Sequence, residues 1–96
     1  MADLRLTPAA LGDLEGIWRH TAQQWGETQA AHYLDLLYDA FETIAQSPAS
    51  APPCDHIRPG YRRQWVEHHA VYYRLADDTV VVVRVLHERM DATRHL

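Results

Sequence analysis

The 96-residue chain contains no lysine, so every fixed positive charge is one of nine arginine guanidiniums. A guanidinium pairs in a fork with carboxylates and phosphates, and an ammonium does not replace it at such sites. The only cysteine, Cys54, excludes an internal disulfide and any Cys-based zinc motif. No segment approaches the roughly 18 uninterrupted apolar residues that cross a bilayer, and the first residues lack the basic-then-apolar order of a secretion signal. The sequence therefore reads as cytoplasmic, with no membrane partner. There is no repeat and no low-complexity tract, and the length suits one domain over residues 1–96 rather than a large multi-domain enzyme.

What remains is enough to fold: 47% of residues are hydrophobic and 23% charged, and there are three tryptophans. The net charge of -4 argues against a free-standing nucleic-acid binder, which would carry a basic field. The charge is unevenly divided. Residues 1–48 hold two arginines against seven acids, a balance of -5, whereas residues 49–96 hold seven arginines against six acids, a balance of +1. The second half is the candidate contact surface, and a protein partner suits it best.

Residues 3–7 alternate polar and apolar, as a short strand does. Thr7 followed by Pro8 forms an N-cap and first helical position. Leu11, Leu14, Trp18, Thr21 and Trp25, joined by Ile17, recur at helical spacing and predict an inner stripe that ends at Gly26. Beyond it Ala30, Leu34, Leu37, Phe41 and Ile44 predict a second helix with Asp35, Asp39 and Glu42 outside. A single glycine between them makes a tight antiparallel hairpin. Residues 47–59 hold four of the five prolines and predict an irregular connector. From Gly60 the period becomes two, with strands expected over Tyr61–His68, His69–Ala76 and Thr79–His87 and a turn at Asp77-Asp78. The expected fold is α+β in two layers: the helix hairpin on one face of a mainly antiparallel four-stranded sheet, in the order strand-helix-helix-strand-strand-strand. The Val80–Leu86 run is apolar on both faces, yet no third helix of similar size follows to cover the far side. That cover is expected from a second polypeptide.

Five segments in order resemble the ParE toxins of ParD/ParE toxin–antitoxin systems, within the RelE/ParE superfamily. They are Asp13-Leu14-Glu15-Gly16-Ile17-Trp18, Gln24-Trp25-Gly26-Glu27-Thr28-Gln29-Ala30, Arg58-Pro59-Gly60-Tyr61-Arg62, Val71-Tyr72-Tyr73-Arg74, and Arg84-Val85-Leu86-His87-Glu88-Arg89-Met90-Asp91. Each is short, but together they run through nearly the whole chain. The resemblance implies a toxin that inhibits DNA gyrase by binding and forms a hetero-oligomer with a ParD-like antitoxin, whose C-terminal segment folds across it. It implies no cofactor and no metal. Residues expected to meet the antitoxin are Arg58, Arg62, Arg63, Trp65, Arg74 and Val82; those expected to meet the target are His87, Arg89, Met90 and Asp91.

The same superfamily contains ribosome-dependent mRNA endonucleases. Such chemistry needs a base, a donor for the leaving oxygen and cations about the phosphate. His87 would serve as acid or base with Arg62 and Arg84 as clamps, joined by Arg63 or Arg74 and by Tyr61, Tyr72 or Tyr73. Against it stand the missing lysines and the acidic second helix. The plainer reading of His87 is a strand-end imidazole bonded to nearby backbone or carboxylate. A third reading is a remnant that pairs with antitoxin without toxicity. Adjacent His68 and His69 point to opposite faces of a strand and cannot share a metal. Arg74 and Arg84, within strands, call for acidic partners, Trp18 and Trp25 are expected in the core, and the Met90–Leu96 tail has little core pattern.

Overall fold

The computed structural model describes residues 2–96. In chain order the elements are β1 (Asp3–Leu6), α1 (Pro8–Trp25), α2 (Glu27–Gln46), β2 (Tyr61–Val66), β3 (His69–Ala76), β4 (Thr79–His87) and a one-turn α3 (Ala92–His95). The sheet order is β1-β4-β3-β2. β1 runs parallel to β4, and the other two pairings are antiparallel. This is the expected two-layer α+β architecture.

Local chemistry sets the boundaries. The Thr7 hydroxyl accepts the Ala10 N–H at 3.0 Å and donates to the Val83 carbonyl at 2.7 Å, so one side chain starts α1 and ties it to β4. Gly26, with φ at 92°, separates the helices as a single residue. Its N–H bonds the Ala22 carbonyl at 2.9 Å, and its own carbonyl receives the Ala30 N–H at 3.1 Å. Both hairpin turns place a non-glycine residue at positive φ, Glu67 at 51° and Asp77 at 56°. The first of these corrects the expected strand over Tyr61–His68: it ends at Val66, and Glu67-His68 form the turn.

The α2 stripe is buried as expected, but the α1 stripe is rotated. Ala10, Leu14 and Ile17 face the sheet, whereas Leu11, Trp18 and Trp25 are 52%, 40% and 75% exposed. Bulky residues suggested the phase, but small Ala10 occupies the tight contact, which turns the large side chains outward. Gly12 and Gly16 stand on α1 with no atom within 4 Å of where a Cβ would be. Alanine at each is therefore expected to stabilise the free protein by up to about 1 kcal/mol through helix propensity alone. Urea titration reads this directly, and a loss of stability would contradict the open space at either position.

On β4 a bulge leaves Val83 without a partner between the Val82–Tyr73 and Arg84–Tyr72 pairs. The bulge exchanges the faces: Val80, Val82 and then Val85 point into the helical core, and Leu86 points to the far side. Val82 is 0% exposed, so its expected role in antitoxin contact is withdrawn. The far face is also covered by this chain itself. Cys54 and Ile57 of the connector and Ala92 and Leu96 of the tail pack on Ala70, Tyr72 and Leu86. A second polypeptide is therefore not needed to close that part of the sheet. The tail is ordered for local reasons: the Asp91 carboxylate caps α3 through the Thr93 N–H, and Arg58 donates to the Leu96 carbonyl at 2.5 Å.

Candidate functional site

At the end of the sheet carrying the β2–β3 turn, the helix hairpin stands away from the strands and leaves an open cleft of about 1030 Å³. Gly12, Gly16, Ile17 and His20 of α1 form one wall, with Trp25 at the hairpin tip. Tyr33 and Leu36 of α2 form the second. The floor and far lip are Glu67, His68, His69, Val85, His87, Arg89 and Met90. Three of the four residues expected to meet a target, His87, Arg89 and Met90, thus share this cleft. Asp91 lies beside it on the far face, where its carboxylate is occupied as a helix cap. The Thr93 hydroxyl and N–H hold that carboxyl below its usual pKa.

The cleft is rigid on its β4 side because Asp13 closes an open strand edge. β1 pairs only with Thr79–Val82, leaving the remainder of β4 without a neighbour on that side. Asp13 fills the gap: its two oxygens accept from Arg84 Nε at 2.8 Å and a terminal nitrogen at 2.7 Å, and one of them also accepts the Val85 N–H at 2.9 Å. These bonds raise the already high Arg84 pKa and keep the guanidinium charged. Arg84 therefore has the internal acid its position required. Arg74 instead is exposed and needs none.

Three imidazoles crowd the lip. The His69 ring meets His87 edge-on with centroids 5.0 Å apart, and His68 stacks on His87 at 6.3 Å. The His69 Nδ1 is paired with the Tyr33 hydroxyl at 2.5 Å. Burial, then the neighbouring His87 and His68, push the His69 pKa down to about 4, so this ring is neutral at physiological pH. His87 Nδ1 accepts the Arg89 N–H at 3.1 Å, which places the proton of the neutral ring on Nε2. His68 faces Glu88 at 3.2 Å. Among the described residues, no three of His, Cys, Asp and Glu are grouped to hold a metal ion.

Of the side chains proposed for RNA cleavage, Arg63 and Tyr72 line a small cavity with His87, but the two expected clamps and Tyr73 are engaged elsewhere. Arg62 donates to the Ala49 and Ala51 carbonyls at 3.3 and 2.6 Å, fastening the connector. Arg84 is engaged with Asp13. Tyr73 is fully buried and donates to the Pro48 carbonyl at 2.6 Å, and Tyr72 lies beneath the far-face cover.

A second surface lies on β2, away from the helices. Arg63 sits over Trp65 at 5.4 Å, and Arg58 over Tyr61 at 5.5 Å. Trp65 is 45% exposed. Arg74 stands across from Tyr61 in the ladder. Four of the six residues expected to meet an antitoxin, Arg58, Arg63, Trp65 and Arg74, are therefore on this side; Arg62 points into the connector and Val82 into the core. Asp13, Tyr33, Trp25 and Leu36 escaped the sequence reading as site residues. Only Trp25 carried a signal, as a large aromatic beside the glycine that ends its helix.

The fold is thus a small two-layer α+β domain with an open cleft and a second exposed surface on β2. The family model for the ParE toxin of the type II toxin–antitoxin system parDE matches residues 4–92. Toxin ParE1 of Mycobacterium tuberculosis is 46% identical over 92 residues, covering 95% of this chain and 94% of that protein. Toxin ParE1 of Caulobacter vibrioides is 41% identical over 96 residues, covering 100% and 99%, and toxin ParE of Escherichia coli is 34% identical over 92, covering 95% and 89%. A chain from the chromosomal ParDE system of P. aeruginosa has the same fold, with a TM-score of 0.81 at 19% identity over 91% of this chain and 96% of that one. The chain belongs to the ParE toxin family of type II toxin–antitoxin systems.

Proposed function

We propose that this ParE toxin acts on DNA gyrase by occupancy rather than by chemistry of its own, and that a ParD-like antitoxin silences it in a cytoplasmic hetero-oligomer. The observation that carries the reading is the placement of the candidate catalytic arginines. Arg62 and Arg84 hold the fold together through carbonyls and Asp13, so neither of the two expected clamps is free to take a phosphate beside His87. The open cleft instead presents apolar and aromatic groups suited to a macromolecular surface, with Ile17, Trp25, Leu36 and Met90 among them. His87, Arg89, Met90 and Asp91 form the target contact. Arg58, Arg63, Trp65 and Arg74 form the antitoxin contact.

Purified gyrase in a supercoiling assay, set beside mRNA on translating ribosomes, tests this. Inhibition of supercoiling without RNA cuts is the expected result. His87→Ala, which removes one imidazole from the cleft lip, is expected to weaken inhibition by about tenfold, the scale of one lost contact at an interface. RNA cleavage that disappears in His87→Ala would overturn the reading.

A further inference from the structure

β2 is an outer strand, and its free edge is closed over only half its length. In an extended strand the N–H and C=O of one residue point the same way, and the direction alternates along the chain. The connector takes the outward groups of the first half. The Cys54 N–H donates to the Tyr61 carbonyl at 2.8 Å and the Arg63 N–H to the Pro52 carbonyl at 3.2 Å, with Pro53 bridged antiparallel to Arg62. The same phase turns the Arg63 carbonyl and the Trp65 N–H and carbonyl outward. Pro52, opposite Arg63, has no N–H to return to the Arg63 carbonyl, and beyond it the connector turns away from Trp65, the Ser50 N–H bonding the Ser47 carbonyl at 3.0 Å. Only the Gln64 side chain answers, at 3.3 Å to the Trp65 carbonyl. Beside this gap Arg63 and Arg74 meet no carboxylate among the described residues.

We propose that an extended segment of the antitoxin continues the connector's antiparallel pairing along β2, accepting from the Trp65 N–H and donating to the Trp65 carbonyl in place of Gln64, with a carboxylate side chain against Arg63. The inference rests on the reading of this chain as an antitoxin-controlled toxin. Unpaired backbone groups on a sheet edge are a template for an added strand. The guanidinium beside them selects an acidic one. Two β2 edges from two copies of this chain would instead bring both Arg63 side chains to one seam with no acid between them.

Trp65→Ala removes the side chain and keeps the N–H, whereas Trp65→Pro removes both. This N–H points away from β3, so proline there breaks no bond inside the sheet. Calorimetric titration with a ParD-like antitoxin that binds the wild type should show binding weaker for the proline than for the alanine variant. The expected difference is about five- to tenfold, the worth of one net hydrogen bond. Exchange of the Trp65 amide proton should slow strongly in the wild-type complex. Equal affinities for the two variants, with the Trp65 amide still exchanging freely, would overturn the edge pairing while leaving the toxin–antitoxin assignment intact; failure of the wild type to bind any ParD-like antitoxin would overturn that assignment instead. If Trp65→Pro does not fold, amide exchange in the wild-type complex decides alone. A protected Trp65 amide in a concentration-dependent dimer of toxin alone would make a second copy the occupant and refute the proposal.

Discussion

Asp13→Asn is expected to destabilise the protein by about 2–4 kcal/mol, because it discharges the acid that holds Arg84 and the Val85 N–H together. The Asp13 and Arg84 side chains are only 13% and 21% exposed, so water replaces little of what is lost. The amide keeps the shape but turns a donor toward a guanidinium that has only donors to offer. Urea denaturation at neutral pH measures the loss. The double change Asp13→Leu with Arg84→Met should cost less than Asp13→Asn alone, since it leaves no unpaired charge behind. A loss below about 0.5 kcal/mol for Asp13→Asn, as at an ordinary surface site, would show that the strand edge does not depend on this carboxylate.

A second large effect is expected on acidification. The pKa of His69 falls from 6.5 to about 4 on folding, so between these values the unfolded chain binds a proton at this ring that the folded chain refuses. Stability therefore declines as the pH drops from 6.5 toward 4, and this ring contributes no further decline below that. Allowing for residual solvent contact, the total is on the order of 2 kcal/mol. His68 and Glu88 at the lip, Glu67 in the turn and Asp13 on α1 face the same region, as do His20 and Arg89. His69→Gln, which retains a partner for the Tyr33 hydroxyl, should flatten the curve over that interval. A wild-type profile already flat from pH 7 to 4.5 would contradict the neutral, buried ring.

The sequence made the architecture legible because its strongest signals are local. The α2 stripe, Thr7-Pro8 and Gly26 each act within a few residues, and the Pro-rich connector interrupts the helical period before β2. What escaped depends on contacts remote in sequence or on small departures from regular alternation. The α1 phase was set by Ala10, whose size rather than hydrophobicity decides its place. The end of β2 was hidden because Glu67-His68 form a turn without the glycine or asparagine that usually marks one. Val82 was misplaced because alternation alone does not say which of the two apolar faces of β4 the helices cover. Expected site residues divided by the same logic: half-buried Arg63 and exposed Trp65 and Arg74 remain on a surface, whereas Arg62 and Arg84 found partners that no spacing rule reveals.

The parallel pairing of β1 with β4 joins residues 3–6 to 79–82, and Thr7 and Asp13 then grip Val83, Arg84 and Val85. β1 therefore has no neighbour in the sheet until β4 has been made. A nascent chain lacking β4 has neither a completed sheet nor a rigid cleft wall. Synthesis of β4 is thus the step at which the sheet and the cleft wall are completed together.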